Sequence, residues 1–109
     1  MLLLTSTSDK VQLVTGSAAS VEVHASWVDN ASGTITPGRT NTAEITTATT
    51  TDIVASPVAS TQRNVKHLSI RNDHASASTT VAVQHTDGTN VETLWSGTLL
   101  AGEYLVFDE

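Results

Sequence analysis

The sequence contains no cysteine, which excludes thiol catalysis, thiol redox chemistry and a disulfide scaffold but singles out no compartment. Aromatic residues are almost as scarce: Trp27, Trp95, Tyr104 and Phe107 make up 4% of the chain. A core must therefore be built from Val, Leu, Ile and Ala, and it will be thin. With 109 residues the chain makes one small domain, whose stability is at best roughly 5–10 kcal/mol. Association with copies or with a partner would add to that. Cations are few as well. Lys10, Arg39, Arg63, Lys66 and Arg71 stand against 11 acidic residues, for a net charge of −6. Nucleic-acid binding is driven by counterion release from a clustered basic face, and five dispersed cations do not make one. The same count argues against docking to an anionic membrane. No run approaches the roughly 18 apolar residues of a membrane span. The opening "MLLL" is too short for a signal peptide's apolar region and has no cationic start. The expectation is a soluble protein, intracellular at birth or exported together with other components.

What the sequence does have is Thr and Val, β-branched residues suited to a pleated surface. Apolar residues hold no helical spacing and alternate instead. Val11 and Leu13 share one face of "VQLVT". In "SVEVHASWVD", Val21, Val23, Ala25 and Trp27 fall on one side, Glu22, His24 and Ser26 on the other. That strand ends at a "DNASG" turn, and "TIT" follows with Pro37 and Gly38 as punctuation. Residues 41–54, "NTAEITTATTTDIV", carry apolar side chains only at the ends of a threonine tract. A strand wetted on both faces is poorly fixed in register, so this segment is expected to be extended and covered by another subunit. Pro57 ends the run. In "NVKHLSIRN" the apolar phase changes between Val65 and Leu68, which predicts a bulge or a late start. "NDHASAST" is a polar loop. Val81, Val83 and His85 share a face, and Asp87-Gly88 closes a hairpin. Val91, Thr93 and Trp95 lie opposite Leu94. Ala101-Gly102 turns the chain into a last strand with Leu105 and Phe107 on one side. Roughly seven or eight short strands predict an all-β domain over residues 1–109, a small β-sandwich or jelly-roll-like barrel.

Catalytic chemistry finds little footing. His24, His67, His74 and His85 form no His-x-His or His-x3-His pair, although a sheet could bring His24 and His85 together. There is no nucleophile elbow; "GSA" and "SGT" are ordinary turns. Glu22, Glu44, Glu92 and Glu103 fall one to a strand on solvent faces, and Asp108 and Glu109 form a solvated terminus. Asn30-Ala31-Ser32 matches a glycosylation acceptor but has no secretory context. Trp27 and Trp95 share faces with valines, which places both in the core. No catalytic residue, metal ligand or cofactor is expected.

Residues 63–107, "RNVKHLSIRNDHASASTTVAVQHTDGT…LLAGEYLVF", resemble the small β-structured virion proteins of tailed bacteriophages. Ile70-Arg71-Asn72, the 75–80 loop, Asp87-Gly88 and the stretch from Leu100 to Leu105 follow that pattern in order, and residues 36–57 are similar in style. The resemblance implies a capsid decoration or cement protein, a trimer over the threefold positions that bridges neighbouring copies of the major capsid protein. It implies a location in the virion after assembly in the bacterial cytoplasm, with no nucleic acid, membrane or cofactor bound. Physical chemistry agrees: a thin core gains from a partner, and a threonine strand can hydrogen-bond across a seam. The expected interface residues are Glu44, Ile45, Thr46, Thr47, Thr49, Thr50 and Thr51, with Arg63 and Arg71 facing acidic residues of a neighbour. A tail, neck or baseplate component of the same virion is the first alternative. A carbohydrate- or host-binding β module is the second.

Overall fold

The computed structural model describes residues 1–109. Nine strands make two antiparallel sheets with one core between them. In chain order they are β1 (Leu2–Leu4), β2 (Lys10–Thr15), β3 (Val21–Ala31), β4 (Thr34–Ile45), β5 (Thr49–Val54), β6 (Gln62–Asn72), β7 (Thr79–Thr86), β8 (Val91–Leu99) and β9 (Tyr104–Asp108). The first sheet runs β4-β3-β6, and the far side of β6 is shared by β9 and β1. The second sheet runs β5-β2-β7-β8. Both sheets are open at their edges, so the architecture is a sandwich.

Alternation puts the expected residues inside. Val21, Val23, Ala25, Val65, Leu68 and Ile70 from the first sheet meet Val11, Leu13, Ile53, Val54, Val81 and Val83 from the second. No aromatic residue is fully enclosed; Trp27 and Phe107 pack at the margin. Register shifts tune this pattern. Ser26 faces His67 and Trp27 faces Val65, leaving Lys66 as the extra residue and giving the bulge that the phase change between Val65 and Leu68 predicts. A second bulge, at Ile53, turns both Ile53 and Val54 inward.

Two elements depart from the sequence reading. Pro37 and Gly38 do not interrupt the chain; β4 runs through both for 12 residues. It is an edge strand, where one side of the backbone has no partner and a missing N–H costs little. Gly38 lies opposite Trp27, and a Cβ there would sit 2.6 Å from the indole Nε1. The threonine tract is also not one extended segment. Residues 41–45 finish β4 in the first sheet, 46–48 form a corner, and β5 continues in the second sheet. Thr15 pins that corner, its Oγ1 donating to Thr47 O (2.7 Å) and accepting from the Thr49 amide (3.2 Å).

Asn72 is the polar hub that joins the sheets at one end. It is fully buried at the end of β6. Its Nδ2 donates to Ala77 O (2.8 Å) and to Leu99 O (3.1 Å), and its Oδ1 accepts from the His74 amide (3.1 Å). Its backbone holds the β8–β9 turn, donating to Glu103 O (2.9 Å) and accepting from Gly102 N (2.7 Å).

Candidate functional site: an apolar cleft between two sheet edges

The expected interface residues do not converge. Ile45 points into the core at 6% exposure, so it is unavailable to a partner in the folded chain. Thr46, Thr47, Thr49 and Thr50 are exposed at the corner and the start of β5, while Thr51 is half-buried. Arg63 is occupied within its own chain. It forks onto Asp29 (Nε–Oδ1 2.9 Å, Nη2–Oδ2 3.0 Å), donates to Ala55 O (2.8 Å) and stacks 4.4 Å from the Trp27 ring centre. Its acidic partner is therefore internal, fixed by the bidentate geometry that suits a guanidinium. Arg71 remains at the surface, 3.5 Å from Asp73 and in one shallow depression with Glu22 and Glu44. Asp73, followed by burial and Glu44, pushes the Glu22 carboxyl above its ordinary range against the pull of Arg71.

The histidines do not meet as the sequence allowed. His24 lies beside His67 on the outer face of the first sheet, with ring centres 6.2 Å apart. His24 Nδ1 contacts Asn41 Oδ1 (2.6 Å), and His67 Nδ1 lies 3.4 Å from Asp108 Oδ1. His85 instead ties β7 to β1 through Nε2 and Leu3 O (2.9 Å), and the His74 Nδ1 accepts the Ser76 and Ala77 amides. No three His, Asp or Glu side chains gather as a metal-binding group.

The concave feature with the most uniform chemistry lies elsewhere, where the edges β8 and β9 face each other across the sandwich. It encloses about 310 Å³ and all nine lining residues are hydrophobic. Leu68, Ile70 and Val83 form its floor as part of the core. Leu2, Leu105 and Phe107 make half-buried walls, and Leu94, Trp95 and Val106 form an exposed rim. A bulge builds that rim. Val83 pairs with Trp95 and Gln84 with Thr93, so Leu94 is the extra residue and lines the cleft together with Trp95. Simple alternation puts Leu94 and Trp95 on opposite faces, and the bulge overrides it. Trp95 is consequently not a core residue; it is 37% exposed, with its ring lying across the bare backbone of Gly97.

This side of the molecule is apolar well beyond the cleft. Of the ten exposed large hydrophobic residues, six fall on β8, the following turn and β9: Val91, Leu94, Trp95, Leu100, Tyr104 and Val106. A concentration of such residues on two edge strands and the turn between them marks a candidate interaction site. The charges on these two strands and their turn have one sign, and the nearest cations, Lys66 and Arg71 on β6, are paired with Glu109 and Asp73. No Lys or Arg follows Arg71, whereas Glu92, Glu103, Asp108 and Glu109 all lie in or beside these strands. The Glu109 carboxyl is held below its ordinary range, chiefly by the hydrogen bond from Lys66 Nζ (2.7 Å). Sequence reasoning missed this site because a cleft between two sheet edges needs strand order. The available signal was the density of Leu, Val and Tyr after residue 90 without a single cation. Compared with protein families, curated proteins and solved structures, the chain matches none.

Proposed function

We propose that this chain is a structural component of a tailed-phage particle, a decoration protein that binds the major capsid protein and holds neighbouring shell subunits together. The observation that carries this reading is the concentration of six exposed large hydrophobic residues on the β8–β9 side. Covering that side removes apolar surface from water, which both drives docking and supports a thin aliphatic core. The resemblance of residues 63–107 to small virion proteins supplies the particle. A trimer fits the role, and many identical weak contacts on one shell add up to firm attachment. A sugar- or host-binding module finds an aromatic platform in Trp95, but apart from the Trp95 indole N–H the cleft offers no side chain to hydrogen-bond hydroxyl groups.

Quantitative mass spectrometry of purified particles of the encoding phage tests the assignment. Near-equal copies of this chain and the major capsid protein are expected. A few copies per hundred would move it to the tail, neck or baseplate, and absence from the particle would remove the virion reading.

A further inference from the structure

We infer that the β8–β9 cleft receives an extended, apolar partner segment flanked by Lys or Arg, which adds to the second sheet as a strand beside β8. This rests on the reading of the β8–β9 side as the docking side, and it names the chemistry of what docks there.

The sheet edges differ in how they are protected. β4 carries Pro37, Arg39 and Glu44; β5 has Asp52 paired to Lys10 and a bulge at Ile53; β1 and β9 are three and five residues long. β8 has nine residues, Glu92 as its one charge, and neither Pro nor Lys nor Arg. Proteins normally blunt long edges with charges, Pro or bulges; the Leu94 bulge is the one such device on β8 besides Glu92, and beyond it Trp95–Leu99 run in regular register as a template for a further strand. The direction of its backbone follows from the ladder. Gly16 N donates to Thr80 O, so Thr80 turns its backbone groups toward β2. Thr98 is paired with Thr80 and therefore turns its own N–H and C=O outward, to the free edge. A strand laid there would place alternate side chains over Leu94, Trp95 and Val106 at the cleft mouth.

Charge selects the occupant. A second copy seated on the same side would set Glu92, Glu103 and Asp108 against their equivalents, and the nearest cations, Lys66 and Arg71 on β6, are already paired with Glu109 and Asp73 of their own chain. Lys or Arg at the ends of a partner segment would face those carboxylates instead, which fixes register and speeds encounter. The floor has no polar group, so the part of the segment entering it is aliphatic.

The test is co-sedimentation of the full chain with purified undecorated shells of the encoding phage, at about 50 and about 500 mM NaCl. Leu94→Glu and Thr98→Pro alter exposed positions and are expected to weaken binding about tenfold or more while melting like the wild type. Glu92→Lys leaves packing untouched and is expected to weaken binding at low salt only, with a reduced salt dependence. Wild-type-like binding by all three variants would overturn this inference and leave the decoration reading standing. No shell binding by the wild type at either salt would overturn the decoration reading and this inference with it. Self-association of the free protein that Leu94→Glu abolishes would replace the partner segment by a second copy and refute the inference directly.

Discussion

Replacing Asn72 by Ala removes a side chain that satisfies three backbone groups, two in the β6–β7 loop and one buried at the end of β8. The Ala77 and Leu99 carbonyls lose their donor and the His74 amide loses its acceptor. Each buried group left unpaired costs about 1–3 kcal/mol. The Ala77 and His74 groups border a surface loop where water can enter, so the low end applies to them, and the sum is about 3–5 kcal/mol. That is a large share of what a domain of this size possesses. At about 4 °C per kcal/mol, the melting temperature should fall by roughly 12–20 °C. Asn72→Asp should do no better, because it keeps the shape but aims a second oxygen at two carbonyls that need a donor. Urea denaturation gives the free energy, and hydrogen exchange locates the damage, expected first at the β8 end and the β8–β9 turn that Asn72 ties down. A loss under about 1 kcal/mol with unchanged exchange there would refute the account of Asn72 as the hub.

Further outcomes follow from other contacts. Burial alone pushes the Asp9 carboxyl up, but the Thr5 amide (2.7 Å) and the Ser6 hydroxyl (2.7 Å), helped by His85 and the Thr5 hydroxyl, outweigh it and hold Asp9 below its ordinary range. With a folded value below the unfolded one, Asp9 stabilises fully above the unfolded pKa and loses this as pH falls through the folded pKa. Asp9→Asn should therefore cost about 2 kcal/mol at neutral pH, and its pH–stability curve should meet the wild-type curve in strong acid; parallel curves would contradict this. Gly38→Ala forces its Cβ against the indole of Trp27, which Arg63 holds from the ring face, and should cost about 1–3 kcal/mol with a changed tryptophan emission. Gly97→Ala places a Cβ 2.8 Å from Trp95, but that ring is free to swing outward, so the loss should stay under about 1 kcal/mol in the same melts. Equal losses at Gly38 and Gly97 would show that the surroundings of the two indoles do not matter.

Much of the fold was legible because alternation is a local signal. The inward row Val21, Val23, Ala25 and Trp27, the Lys66 bulge and the Asp87-Gly88 turn could each be read within a few residues. The misreadings share one cause, which is that strand neighbours are not local. Pro37 reads as a stop unless β4 is known to be an edge. Arg63 looks free until Asp29, 34 residues earlier in the chain, arrives beside it. Leu94 and Trp95 join one rim only through a bulge against β7, and the cleft exists only because β8 and β9, consecutive in the chain, are edges of different sheets.

The far side of β6 behaves like a nicked strand. β9 covers residues 67–71 and β1 covers 63–65, running in the same direction, and Lys66 sits at the gap between them. It acts as a splint: its carbonyl accepts the Glu109 amide (3.0 Å) and its ammonium holds the Glu109 carboxylate, whose other oxygen meets the Met1 ammonium (3.2 Å). The chain is thereby almost a closed circle. Sealing the nick with a short linker and reopening the backbone at the exposed Ser32-Gly33 turn would permute the sequence without moving a strand. The order in which these strands are strung is thus separable from the sandwich they build.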